Sequence, residues 1–431
     1  MRIDFILTWK KLLLAAVGAV ALAFAVSLSG MVSIAASTGH FAPVGWFLNW
    51  TMRNTVARQS LTISVPENID LDDPALVQRA AGHFATGCAP CHGAPGVPQS
   101  PVSLSMTPHP PRLAERVGDW KDRELFWIAK YGIKYSGMPA WVTQERDDEV
   151  WAQVAFLRAL PEMTAERYAE LALGGKRGDE KLQAGGEATA GLDGIFANAL
   201  ADCARCHGRD GLGQGEKDAA GAFPIIAGQP EAYLLATLRA YSEGFRHSGL
   251  MQPPAKRYDK ATLAALAEWY AGKPVKRGSD EPRESPARAG QVAEAETEPA
   301  STPADGVPAQ IFPPDTRSGN AVVSTATAGG LPEDAAAMRD LGRKIALEGL
   351  PARKIPSCES CHGAEGRAKN PLYPYLGGQP EWYARTHLEL WKDGVRGGTQ
   401  FSHLMTPIAV NMTDEQIAAV AAWYAAQPVG R

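Results

Sequence analysis

The chain has 431 residues, 45% of them hydrophobic and 21% charged, with a formal net charge of −4. That length accommodates about three domains at the usual ~100–200 residues each. The slightly acidic balance excludes a general nucleic-acid binder, which would be basic, and the hydrophobic content is that of a globular protein with one membrane segment.

Residues 1–37 come first. Arg2, Lys10 and Lys11 precede a run from Leu12 to Ala36 that contains no charged residue. An apolar run of 18 or more residues reads as a membrane-spanning helix. The rival is a cleaved signal peptide, whose apolar core spans only ~7–15 residues; the greater length here favours an uncleaved anchor. In the juxtamembrane segment, residues 38–70, Phe41, Trp46, Phe47 and Trp50 look like an interfacial aromatic belt. The basic residues before the span put the N-terminus in the cytoplasm and all later residues outside. In a Gram-negative cell this means a single-pass protein of the inner membrane with its domains in the periplasm.

Domain one covers residues 71–175. Pro74 to Phe84 reads as a helix leading into Cys88-Ala-Pro-Cys91-His92. The C-x-x-C-H pattern marks a c-type haem attachment site. Two thiols three residues apart lie on one helical face and can add to the two vinyl groups of one haem. The next residue, His, then sits under the iron and offers a neutral imidazole nitrogen. A proline-rich loop from Pro95 to Pro111 follows, then a helix from Arg123 to Lys130 and the stretch Tyr135-Ser-Gly-Met138-Pro139. A last helix runs from Asp147 to Leu160, with Val150, Val154 and Leu157 at helical spacing. A domain near 100 residues has little interior of its own, so a haem would supply much of its core.

A stretch rich in Gly and charge, Gly174 to Gly191, separates domain one from domain two, residues 192–274. Domain three covers residues 331–431. These two domains carry Cys203-Ala-Arg-Cys206-His207 and Cys358-Glu-Ser-Cys361-His362. The three motifs use all six cysteines, and each is followed by Gly. Zinc would need a second ligand pair near each site, and a redox pair or a disulfide needs no adjacent His. Three covalently attached haem c groups are therefore the reading.

Domains two and three repeat each other. Phe223-Pro-Ile-Ile-Ala-Gly-Gln-Pro-Glu231 matches Tyr373-Pro-Tyr-Leu-Gly-Gly-Gln-Pro-Glu381, and an amphipathic helix follows in both. Pro230 and Pro380 suit the first helical turn. Both domains end in a helix carrying Trp-Tyr, at Trp269-Tyr270 and Trp423-Tyr424, and Thr413 with Gln416 forms a capping box before the last one. Repetition of this kind implies one fold used again. Between them, residues 275–330 are dominated by Pro, Ala, Glu, Ser, Thr and Gly without apolar periodicity, and read as a disordered linker. The 55 residues from Lys276 to Gly330 span roughly 40 Å at ~5–6 Å × √n. The expectation is a domain three that shuttles on a tether rather than pairing compactly with domain two.

A methionine sulfur commonly completes iron coordination in sites of this kind, and the soft thioether favours the ferrous state. Domain two offers only Met251, 48 residues after Cys203. Domain three offers Met405 and Met412; the parallel of His247-Ser-Gly-Leu-Met251-Gln-Pro with His403-Leu-Met405-Thr-Pro picks Met405 and leaves Met412 for the core. Domain one offers Met106 and Met138; spacing and the following Pro139 pick Met138. The iron ligands are then His92 with Met138, His207 with Met251, and His362 with Met405. The remaining histidines, His40, His83, His109, His247, His387 and His403, take surface or hydrogen-bonding roles. Pro224 and Pro374 are placed to put a backbone carbonyl on the proximal imidazole.

These residues carry a resemblance. Each domain resembles a class I c-type cytochrome, with C-x-x-C-H near the first helix, a Met loop and a closing aromatic-bearing helix. Domains two and three resemble the tandem diheme cytochromes through the shared G-Q-P-E stretch; domain one lacks that stretch and diverges. The resemblance implies an all-α fold: three cytochrome c-like helical domains in tandem after one N-terminal transmembrane helix. It implies electron transfer as the function, between redox protein partners such as a dehydrogenase, a terminal oxidase or a soluble cytochrome. A cytochrome subunit of a membrane-bound dehydrogenase complex shares the plan. A haem enzyme such as a peroxidase would need one open iron, which a Met in every domain argues against.

Overall fold

The computed structural model describes residues 8–173, 194–215, 217–275, 335–363 and 370–429. The spacer from Gly174 to Gly191 and the linker from Lys276 to Gly330 lie outside the described residues. The described chain is helical, and among its residues β pairing is limited to the isolated bridges Ala94–Val97 and Leu350–Ile355.

The first helix, α1 (Trp9–Leu28), has 20 residues, long and apolar enough to cross a membrane, and none of its residues is buried against the rest of the chain. It stops eight residues before Ala36, because Ser29 and Gly30 end it and Gly30 turns the chain at φ +70°. That backbone is open to glycine and costly for other residues. The aromatic residues of the expected belt sit on a second helix, α2 (Ala42–Gln59), where Trp46 and Trp50 stack at 6.2 Å. The far end of α2 is fused to domain one: Val56 is buried and the Arg53 guanidinium lies 4.6 Å above the Trp120 ring. The juxtamembrane segment is thus a helix docked on domain one.

In domain one, α3 (Pro74–His83) is capped by Asp73, whose carboxylate accepts the Ala75 N–H at 2.8 Å. A wider turn, Phe84–Cys88, carries it into Ala89–His92. Next come α4 (Asp122–Tyr131) and α5 (Asp147–Ala159), close to their sequence-derived limits, and then α6 (Ala165–Leu173), a further helix beyond the one expected to close the domain. Phe84, Val150, Trp151, Phe156 and Leu160 make a core that joins α3, α5 and α6.

Domains two and three are built alike. In domain two, α7 (Gly194–His207) and α8 (Glu231–Glu243) pack on the closing helix α9 (Lys260–Ala271). In domain three, α10 (Ala335–Leu347) and α11 (Glu381–Lys392) pack on α12 (Asp414–Ala425). The Thr413–Gln416 capping box forms as expected, with bonds of 3.0 and 3.2 Å. Pro230 and Pro380 take the cap position, one residue before their helices begin. Gly228 and Gly378 both have positive φ and both donate to the carbonyl of the closing tyrosine, Tyr270 at 3.0 Å and Tyr424 at 2.9 Å.

The expected free shuttling of domain three is not what the structure shows. Gln229 of domain two grips Tyr375 of domain three: its amide donates to the Tyr375 carbonyl at 3.0 Å and its oxygen accepts the Tyr375 N–H at 2.9 Å. Gln379 of domain three grips Ile225 of domain two in the same way, at 2.8 and 3.0 Å. Ile225 and Tyr375 are equivalent positions of the repeat, as are Gln229 and Gln379, so the contact is self-complementary, like a two-fold interface between copies. Composition alone reads the linker as a tether; the two domain faces it connects determine the docking.

Candidate haem sites

Each motif histidine is oriented by a backbone carbonyl. Nδ1 of His92 bonds the Pro111 carbonyl at 2.8 Å, that of His207 the Pro224 carbonyl at 3.3 Å, and that of His362 the Pro374 carbonyl at 2.9 Å. A carbonyl only accepts, so Nδ1 carries the proton and the Nε2 lone pair is free for a metal. Burial lowers the pKa of all three imidazoles, which favours this neutral form. The carbonyls of Pro224 and Pro374 act as the sequence suggested. Pro111 does the same in domain one and was not singled out there.

One continuous cavity of ≈ 370 Å³ runs between domains two and three, within the ~300–1,000 Å³ typical of small-molecule sites. Its lining brings together Cys203, Cys206, His207 and Met251 from domain two with Cys358, Cys361, His362 and Met405 from domain three. Met412 instead lies in the domain-three core with Ile345, Ile417 and Val420. In domain one, Cys88, Cys91 and His92 occupy one turn. The Met106 methyl lies against Gly137, so Met106 and Met138 reach the same loop. All six cysteines are unpaired.

Two arginines that the sequence reading passed over test whether this cavity suits haem. Arg246 is 3% exposed, and Arg396 occupies the equivalent place in the repeat. Arg246 donates to hydroxyls, Thr237 at 3.3 Å and Tyr383 at 3.4 Å, lies over the Tyr241 ring at 4.6 Å, and its Nε has no partner. Arg396 donates to His387 Nδ1 at 2.7 Å and lies over the Trp391 ring. Burial, and then the neighbouring Arg246 charge, push Arg396 down to about 10. Burial likewise holds His387 well below its ordinary value, as suits an acceptor. Among the described residues neither guanidinium has a carboxylate partner. Buried cations are normally paired. An apolar cavity with thiols at its edge, imidazoles on its walls and two unpaired guanidiniums fits a planar apolar cofactor bearing carboxylates. Arg246→Leu is expected to lower the midpoint potential of at least one haem, since loss of a nearby cation favours the ferric form; spectropotentiometry reads the shift directly.

Thiol pairs, oriented imidazoles and helical shells of this kind define c-type cytochromes, whose haem serves electron transfer. The chain belongs to the cytochrome family of the thiosulfate dehydrogenase electron acceptor of Thiomonas intermedia (strain K12), to which it is 31% identical over 229 residues, 53% of this chain and 80% of that protein. It is 29% identical over 223 residues to the thiosulfate dehydrogenase electron acceptor of Stutzerimonas stutzeri (strain A1501), 52% of this chain and 77% of that one. Cytochrome c-554(548) of Halomonas halodenitrificans is 42% identical over 74 residues, 17% of this chain and 88% of that protein. Residues 75–157 match the family "Cytochrome C oxidase, cbb3-type, subunit III", and residues 342–425 match the family "Cytochrome c".

Proposed function

We propose that this chain is a membrane-anchored, three-haem electron carrier of the periplasm, with His92/Met138, His207/Met251 and His362/Met405 as iron ligands. The supporting observation is the shared cavity, where two equivalent sets of two cysteines, one histidine and one methionine face each other across a self-complementary interface. Each haem, when bound, takes up and releases one electron. The protein's own groups are held in place: the cysteines would attach the haem, the Pro111, Pro224 and Pro374 carbonyls orient the imidazoles that would bind its iron, and the methionines would complete the ligand set. The apolar lining keeps water from the metal. Domain two has extensive contacts with both neighbours, through Glu149 of domain one and Gln379 of domain three, which suits it to relay electrons between them. In domain one, a methyl added at Gly82 would come within 2.8 Å of Cys206 Sγ; the helix bearing the first haem motif therefore runs against the second.

The relatives' names make an exported oxidoreductase of the thiosulfate dehydrogenase kind the candidate donor. A terminal oxidase or a soluble cytochrome is the candidate acceptor. Incorporation into a membrane-bound dehydrogenase complex uses the same three relays. A haem enzyme such as a peroxidase would need one open iron, and domain one is the place to look, because Met106 and Met138 share one loop.

The test is a haem count and a ligand challenge on the protein extracted from membranes. Alkaline pyridine spectra should give three haems per 46.0 kDa chain, and the reduced protein should not bind carbon monoxide. Stoichiometric binding at any haem would replace the carrier by the enzyme reading. The intact mass of the same preparation should include α1; a mature N-terminus between Ala25 and Thr38 would mean cleavage and a soluble carrier.

A further inference from the structure

Domain two's ligand loop differs in length and sequence from that of domain three: Met251 follows Arg246 by five residues, whereas Met405 follows the equivalent Arg396 by nine. His247-Ser248-Gly249-Leu250-Met251 stands where the repeat has His403-Leu404-Met405. In domain three this loop is open: Leu404 is 43% exposed and His403 bonds only its own turn, at Gln400. In domain two the same loop is covered by domain one, residue by residue. Arg146 donates to the His247 carbonyl at 3.1 Å. Glu149, in the first turn of α5 and 3% exposed, accepts the Ser248 hydroxyl at 2.5 Å and the Gly249 N–H at 2.6 Å. The Trp141 ring lies flush on Gly249, where no side chain would fit, and Leu250 packs on the domain-one core. Ser248 and Gly249, which precede Met251 in this loop, are the residues that Glu149 holds.

The grip reaches the ligand itself. Ser248 Oγ, which donates its hydrogen bond to Glu149, accepts the N–H of Met251 at 3.0 Å. Ser248 N–H in turn bonds Gln252 at 3.0 Å, fixing the residue on the other side of Met251. Glu149 pairs with Arg146 at 2.9 Å, itself braced by Asp148, and this pairing opposes the burial that raises the pKa of the carboxyl. Hydrogen bonds to a carboxylate are the strong kind, and a network in which every member is satisfied rigidifies what it touches.

We propose that domain one, through Glu149, is the lock on the axial-ligand loop of the second haem: docking of domain one fixes the Met251 backbone and so holds its sulfur on the iron. This rests on Met251 being a ligand. Glu149 acts through Ser248 and Gly249 and is a positioning residue. The consequence is that the second haem resists ligand exchange only while domain one is docked, whereas the third haem, with its open loop, has no such dependence.

Imidazole, titrated into the oxidised holoprotein of full length, tests the idea. Its binding displaces methionine and bleaches the red thioether-to-iron charge-transfer absorption. Glu149→Ala should lower the imidazole concentration for half-displacement at one haem by tenfold or more and leave the other two at their wild-type values. Met251→Ala identifies the second haem in the same spectra and tests the ligand reading separately. If Met251→Ala leaves the red absorption intact, Met251 is no ligand and the underlying reading falls. If Met251→Ala removes one third of it while Glu149→Ala titrates like wild type, the ligand reading stands and the lock is refuted. Should Glu149→Ala fail to fold with three haems, Ser248→Ala carries the test. It cuts only the link from the carboxylate to Met251 N–H, and wild-type titration of this variant equally refutes the lock.

Discussion

With Met251 as the proposed ligand, Met251→Ala is expected to convert one haem to a high-spin or water-ligated form and to lower its potential by ~0.1 V or more, within the ~0.8 V over which axial ligands tune haem. The cause is the loss of the thioether, which stabilises ferrous iron. Met251 lines the cavity with Cys203, Cys206 and His207, so the effect is confined to the second site. Met405→Ala does the same at the third. Met412→Ala is the internal control: its side chain is 3% exposed in the domain-three core, and truncation costs about 2–5 kcal/mol of stability while leaving every spectrum unchanged. Resonance Raman and potentiometric titration read both outcomes. A Met412→Ala variant with a high-spin haem, beside a Met405→Ala variant without one, would reverse the assignment in domain three.

The haem chemistry was legible in the sequence because covalent attachment is written in residue identity: two cysteines and a histidine at fixed spacing need no fold to be recognised. The placement of Met405 at the cavity and Met412 in the core was legible because the repeat supplied an internal alignment. Pro111 was not, since it lies 19 residues after His92, against 17 from His207 to Pro224 and 12 from His362 to Pro374; a loop has no period to extrapolate. The end of α1 at Leu28 was misplaced because hydropathy does not register the turn made by Ser29 and Gly30. Glu149 was passed over, since an acid in a first helical turn is ordinary, and only the docking of two domains reveals it as buried. The same holds for Arg246, whose unpaired charge is visible only once the cavity is closed. What depends on chemistry within one segment was readable, and what depends on how separate segments meet was not.

The interface of domains two and three is where this difference has the largest mechanical consequence. Gln229 and Gln379 belong to a stretch the sequence shows to be repeated, yet repetition alone does not say that the copies touch. In the structure each glutamine satisfies both backbone groups of one residue in the other domain, four hydrogen bonds in all. Replacing both by alanine leaves the N–H and C=O of Ile225 and Tyr375 without partners. A fully buried group in that position costs ~1–3 kcal/mol; these are half-buried, so water recovers part of it, and the double variant should weaken docking by about 2–4 kcal/mol, roughly 30- to 1,000-fold. Domain three remains attached through residues 276–334 and so stays at an effective concentration near the millimolar range. Trp382, bonded to the Gly221 carbonyl at 2.7 Å and stacked under Arg79 of domain one, still adds contact. Gln229→Ala/Gln379→Ala is therefore expected to keep three intact haems, to enlarge the particle in small-angle X-ray scattering, and to slow electron exchange between the second and third haems. A variant with wild-type scattering and exchange would mean that the two glutamines do not hold the domains together, and that the cavity they border is closed by the apolar contact alone.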